Sequence, residues 1–249
     1  MGKYLMDEQE TSVPAGLPGP QASLPLSERV YTNLGNAPLI NLLSGGSGHV
    51  LDVGCGAGDN ATLIKSRGWS GEVCGITYSA AEAERARAHM KECWVMDVEA
   101  DLPKSLLDLS FDVIIFSHIL EHLRYPAGVV AKFSQILSKG GQVLIAIPNI
   151  LSYRMRLQFL RGDFRYSPEG GVLDDTHLHF YTYFTADEYL LSESTDLKLT
   201  NKAVSGSVPL CLLRRHIFPT AWSKTIDAWG ERNWPNLFGN QIVMRAVKQ

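Results

Sequence analysis

Residues 50–58 read Val50-Leu51-Asp52-Val53-Gly54-Cys55-Gly56-Ala57-Gly58, an apolar run closed by three alternating glycines. Val50, Leu51 and Val53 suit a buried parallel strand. The glycines let the backbone turn sharply while leaving the space above it open, and residues 59–67 read as a helix. A strand, a glycine turn and a helix form half of a nucleotide-binding crevice.

Outward from this run, short apolar segments alternate with helical ones. Residues 49–53, 72–76, 93–96, 111–116 and 142–147 read as strands. Between them, 79–91 is rich in Ala, Glu and Arg, with Ser79 as N-cap. Pro126 opens a further helix, which the sequence expects to stop at Gly140-Gly141. This rhythm predicts parallel strands joined by right-handed crossovers. It breaks after residue 147. Pro148 to Phe184 is long and rich in tyrosine and phenylalanine, which marks a functional insertion. Thr185 caps a short helix over 186–191, and 197–203 and 241–247 supply two more strands. A second insertion, 204–240, carries Arg214, Arg215, His216, Trp222 and Trp229.

Bulk properties bound the function. The 249 residues suffice for one large α/β domain, and 45% apolar content is ordinary for a globular chain. A net charge of −3 gives no support for a broad nucleic-acid surface. Cys55, Cys74, Cys93 and Cys211 form no CxxC pair, so the expected compartment is a reducing cytoplasm. No apolar run approaches the roughly 20 residues of a membrane span. The proline-rich and acidic first 26 residues read as a flexible tail without a secretory signal. Met1-Gly2 resembles a myristoylation start, but Met6 stands where Ser or Thr is required.

Two nucleotides compete for the glycine run. Gly56-Ala57-Gly58-Asp59-Asn60-Ala61 fits the permissive dinucleotide fingerprint. That fingerprint needs an acid at the end of the second strand, whereas Val73-Cys74-Gly75-Ile76-Thr77 has none. Asp52 also lies inside the first strand, where dinucleotide folds carry an apolar residue.

The run Leu51-Asp52-Val53-Gly54-Cys55-Gly56-Ala57-Gly58 resembles instead the first motif of the class I S-adenosylmethionine-dependent methyltransferases. Val95-Met96-Asp97-Val98, Phe111-Asp112-Val113-Ile114-Ile115, Ile119-Leu120-Glu121-His122-Leu123 and Leu137-Ser138-Lys139-Gly140-Gly141 resemble later motifs of that family in order. The resemblance implies an α/β fold: a Rossmann-like seven-stranded, mostly parallel sheet with helices on both faces and a substrate-covering insertion after the fifth strand. The methyltransferase domain would span 27–249, with 148–184 and 204–240 forming the lid. S-adenosylmethionine would be the cofactor, held by Tyr31, Asp52, Gly54, Cys55, Gly56, Gly58, Thr77, Tyr78, Asp97, Val98, Ser117 and His118. Amides at a helix start suit the cofactor's carboxylate, and Asp97 suits its adenine amino group. The usual ribose-binding acid corresponds to Thr77, whose hydroxyl bonds without charge assistance.

His118-Ile119-Leu120-Glu121-His122 also spells the H-x-x-E-H pattern of zinc peptidases. Such a pair shares a metal only on one helical face; here the segment follows a strand and soon meets Pro126, so no metal is expected. The stretch through Asp175-Thr176-His177-Leu178-His179-Phe180-Tyr181-Thr182 resembles small-molecule methyltransferases, including methionine-biosynthesis, glycan-associated and quinone O-methyltransferase members. In an extended segment His177 and His179 share one side. A hydroxyl acceptor must lose a proton as it attacks, which neutral histidine can accept. His177 is the first candidate base, with His118 and His179 behind it, and Asp175 a candidate to orient His177. The expected activity is O-methylation of a sugar or secondary-metabolite hydroxyl. N-methylation of an amino sugar or amine, and a catalytically silent cofactor-binding module, are the alternatives. The expected partner is a small-molecule acceptor, not nucleic acid, and a homodimer is compatible with the chain.

Overall fold

The computed structural model describes residues 34–249 except 169, 211–213, 215, 217 and 218. The expected tail at 1–26 and Tyr31 lie outside the described residues. A short helix α1 (Ala37–Ile40) leads into β1 (Val50–Val53), α2 (Asp59–Ser66), β2 (Val73–Thr77), α3 (Ala80–Ala86) and β3 (Cys93–Val95). There follow α4 (Lys104–Leu107), β4 (Phe111–Ser117), a 3-10 turn (Leu120–His122), α5 (Pro126–Ser134) and β5 (Leu137–Pro148). The last part comprises α6 (Tyr153–Leu160), α7 (Ala186–Leu190), β6 (Leu197–Gly206), α8 (Thr220–Asn233), α9 (Pro235–Phe238) and β7 (Gly239–Lys248).

The strands form one sheet in the order β3-β2-β1-β4-β5-β7-β6. β1 to β5 run parallel, and β7 is antiparallel to both β5 and β6. Both faces are buried, and strand periodicity divides the side chains between them. Leu51, Val53, Ile114, Phe116, Val143 and Ile145 pack on one side with Leu106 of α4, Phe133 of α5 and Leu190 of α7. Val50, Val113, Ile115, Leu144 and Ala146 pack on the other with Leu39 of α1, Ile64 of α2 and Ala83 of α3. The chain order reverses between β1 and β4. At such a switch point the crossovers diverge and leave a crevice outside the carboxyl ends of the strands.

Three boundaries differ from expectation. α5 ends at Ser134, and Gly140-Gly141 lies inside β5. Pairing with β4 begins at Phe111↔Leu137 and resumes at Val113↔Gln142, so Gly140, with φ +76°, serves a bulge instead of a helix stop. α3 is shorter than 79–91, because after Ala86 the chain turns to bring Lys91 N to the Val73 carbonyl. The insertion after β5 contains a helix, α6. It is anchored by buried Asn149, whose Nδ2 donates to the carbonyls of Asn236 and Gly239 while Oδ1 accepts from Leu151 N. Asn236 Oδ1 in turn accepts from Tyr183 N at 3.0 Å, so the two insertions meet at one point.

Candidate active site

The glycine turn stands at the carboxyl end of β1. Gly54, Gly56 and Gly58 have φ of +77°, +52° and +93°, a left-handed region that side chains disfavour. A Cβ on Gly54 would come within 2.5 Å of Ile119 Cδ1, from the segment following β4. The Gly54 and Cys55 amides both donate to the Ile76 carbonyl, and Gly58 N donates to Cys55 O. Among the described residues, the Gly56 and Ala57 amides meet no acceptor. Cys55 turns its side chain into the core, 3.6 Å from Cys93 Sγ, and that thiol contact with burial pushes its pKa up. It reaches the crevice through its backbone alone.

Asp52 lies behind this loop, fully buried. Its Oδ1 is 3.5 Å from Asn60 Nδ2 of α2, and its Oδ2 has no partner. Burial pushes the carboxyl up to about 7; Asn60 pulls it down and Asp59 adds to the rise. A buried carboxylate oxygen left without a partner is uncompensated polarity that costs stability.

At the end of β2 the hydroxyl of buried Thr77 donates to the Glu82 carboxylate. Ser79 caps α3 by accepting from Glu82 N at 3.3 Å. The position left without an acid in β2 therefore has one after all, contributed by the first turn of α3. An S-x-x-E spacing, Ser79 to Glu82, was the available signal. Tyr78 beside it is largely exposed. Asp97, two residues past β3, is exposed and accepts from Glu99 N at 2.8 Å, while Val98 buries its side chain in the core.

The end of β4 carries a polar network. Ser117 Oγ accepts from Asn36 Nδ2 at 3.3 Å, and Asn36 Nδ2 also donates to Gln241 Oε1 at 2.9 Å. His118 has φ +54°, a strained value for a non-glycine residue. Its Nδ1 is 3.2 Å from Glu121 Oε1 and its Nε2 3.0 Å from Gln241 Oε1. Burial works to lower the His118 pKa, but Glu121 and Gln241 outweigh it and the net shift is upward. Both ring nitrogens thus donate, which suits an imidazolium and not a free base.

The insertion is tied directly to this strand end, since Leu178 N and His179 N both donate to the Glu121 carbonyl, at 2.8 and 3.2 Å. Two successive amides on one carbonyl are not an extended strand, and the two histidines part company. His177 packs its ring 4.6 Å from His122. His179 lies 5.7 Å from the Tyr189 ring, with Nε2 3.3 Å from the Arg124 carbonyl. Burial lowers the His122 pKa, and His177 adds to the effect against Glu121. Asp175 is exposed, and Asp174 stands in the orienting place, on Thr176. Glu82, Glu121, His122, Asn36 and Gln241 are thus candidate site residues that sequence reasoning did not select.

The family described as Methyltransferase domain matches residues 31–190, from before β1 through α7. The chain belongs to this methyltransferase family. The ubiquinone biosynthesis O-methyltransferase of Nitrosococcus oceani is 36% identical over 104 residues, which is 40% of this chain and 43% of that protein. A probable S-adenosylmethionine-dependent methyltransferase of Mycolicibacterium smegmatis is 32% identical over 105 residues, 42% of this chain and 39% of that protein. The matched stretch spans less than half the length of these curated relatives. A crystal structure of an S-adenosylmethionine-dependent methyltransferase from Archaeoglobus fulgidus superposes with a TM-score of 0.54 at 21% identity, over 82% of this chain and 87% of that one. The methyltransferase therefore has the fold of S-adenosylmethionine-dependent enzymes, and the glycine crevice is the candidate cofactor site. Its residues fit the group: the Gly56 and Ala57 amides are open donors suited to a carboxylate, and Asp52 Oδ2 in β1 has no partner. Among the described residues no helix is long and apolar enough to cross a membrane.

Proposed function

We propose that this methyltransferase acts on a small-molecule oxygen, most simply a sugar or secondary-metabolite hydroxyl. The observation that carries the reading is the insertion's attachment at Glu121, which sets His177 and His122 beside the end of β4. The likeness to a relative named for O-methylation supports it.

In this reading the Gly56 and Ala57 amides and Asp52 hold the methionine end of S-adenosylmethionine. Thr77 with Glu82 takes the ribose hydroxyls, Asp97 the adenine amino group, and Tyr78 covers the adenosine. The bound cofactor supplies an electrophilic methyl on a sulfonium. The chain's own work is alignment of the acceptor, exclusion of water by the two insertions, and removal of the acceptor's proton. That methyl would go to the acceptor oxygen, with the sulfur keeping the bonding electron pair. The acceptor proton passes to the imidazole cluster at His177 and His122.

The test uses methyl-labelled S-adenosylmethionine with a panel of alcohols, phenols and amines. His177→Ala should lower kcat on an alcohol by about 100-fold, with S-adenosylhomocysteine affinity within about twofold, while His179→Ala changes kcat little. Normal turnover by His177→Ala would remove it from the chemistry. Labelling of amines alone would replace the oxygen acceptor with nitrogen, and cofactor binding without any transfer would mark a silent binding module.

A further inference from the structure

The H-x-x-E-H run does not form a site from its own three residues, because both ring nitrogens of His118 are engaged. The fold substitutes another histidine. Glu121, His122 and His177 each offer a donor atom, and these atoms lie within 4.8 Å of one another.

The hydrogen bonds behind these side chains determine which nitrogens are bare. His177 Nδ1 is 3.0 Å from the Val172 carbonyl, which only accepts, so the proton resides on Nδ1 and Nε2 has a free lone pair. His122 Nδ1 is 2.9 Å from Thr176 Oγ1. The single hydroxyl proton of Thr176 goes to Asp174 Oδ1 at 2.5 Å, so Thr176 accepts from His122, and His122 Nε2 is bare as well. Glu121 spends Oε1 on His118, while its Oε2 is buried without a partner. Two imidazole nitrogens with free lone pairs thus stand near Glu121 Oε2, which is buried without a partner and so costs stability. A cation removes that cost.

We propose that Glu121, His122 and His177 bind a divalent transition-metal ion of the zinc type. Two imidazoles and one carboxylate are a donor set for zinc or ferrous iron that leaves coordination positions open. Carbonyl and carboxylate-backed hydroxyl partners on the outer nitrogens are the supports such ligands carry. Bonds of about 2.1 Å require donors about 3.4 Å apart, so the side chains draw together by about an ångström or a little more from their outermost separation. The amides of Leu178 and His179 on the Glu121 carbonyl already hold the two segments in register. The metal's role, though not its binding, rests on the methyl-transfer reading. An acceptor hydroxyl in the open position ionises more readily, releases its proton to solvent, and presents its oxygen to the methyl carbon. With the ion bound the two histidines serve as ligands, and direct transfer of the acceptor proton to them is the route of the metal-free protein.

The experiment takes the full chain, stripped with a chelator and dialysed, and titrates it with zinc by calorimetry and with cobalt by visible absorption. Expected is one ion per chain with micromolar or tighter affinity. His177→Ala and His122→Ala should weaken binding more than 100-fold. Thr176→Val, which leaves all three ligands in place, should weaken it by about 10-fold or more. Circular dichroism of each variant verifies folding. No binding by the folded wild-type chain at 100-fold excess metal overturns the proposal, as does binding that His177→Ala and Thr176→Val leave unchanged. S-adenosylhomocysteine is titrated into the same metal-free protein. If it binds and metal does not, only this proposal fails; if it does not bind, the methyl-transfer reading fails too.

Discussion

Asp52 shows how one buried atom shapes the site. Its carboxyl is shielded from water, rests on a single long bond from Asn60, and titrates near 7 because burial penalises its charge. The sign follows from linkage. Below about pH 4 the acid is protonated in both folded and unfolded chains. Between pH 4 and pH 7 only the unfolded chain ionises it, so stability falls as pH rises. Above 7 the full cost persists, roughly 4 kcal/mol for a shift from 3.8 to about 7. Asp52→Asn should therefore lose less stability than wild type between pH 4 and pH 8 in urea denaturation, and should bind S-adenosylhomocysteine more weakly. Equal pH slopes for the two proteins would show that Asp52 carries no such penalty.

At the scale of elements, the β2–α3 corner places an acid, Glu82, beside Thr77. Thr77 donates to Glu82, and Ser79 caps the helix that brings Glu82 there. If this pair receives the ribose, Glu82→Gln and Thr77→Val should each weaken S-adenosylhomocysteine about 5- to 20-fold, in the range of a charge-assisted hydrogen bond. If Glu82 only supports the cap, calorimetry will show affinity within twofold while the melting temperature falls. This corner also shows what was legible. Gly54-Cys55-Gly56-Ala57-Gly58 is readable because its backbone excludes other residues, and β1, β2 and β4 because both-face burial demands apolar runs. Gly140-Gly141 misleads because a helix stop and a strand bulge both use a left-handed glycine; only pairing with β4 decides between them. His122 and His177 are 55 positions apart in number (177 minus 122) and meet through the Glu121 carbonyl, a tertiary contact with no local signature.

For the molecule as a whole, the sheet order places everything at one rim. β1 and β4 diverge at the switch point, the glycine turn and Ser117-His118 emerge side by side, and Ile119 packs over Gly54. The insertions after β5 and β6 converge through Asn149 and Asn236, and the first of them reaches the same rim at Glu121. We propose that this rim is the S-adenosylmethionine site. Thermal unfolding of the full chain with S-adenosylmethionine, S-adenosylhomocysteine or NAD tests it most directly. At 100 times its dissociation constant a ligand adds about 2.7 kcal/mol, which for a chain of this size raises the melting temperature by about 5–10 °C. Expected is that rise with both sulfur compounds and none with NAD. No shift with either sulfur compound at millimolar concentration, or an equal shift with NAD, would contradict it.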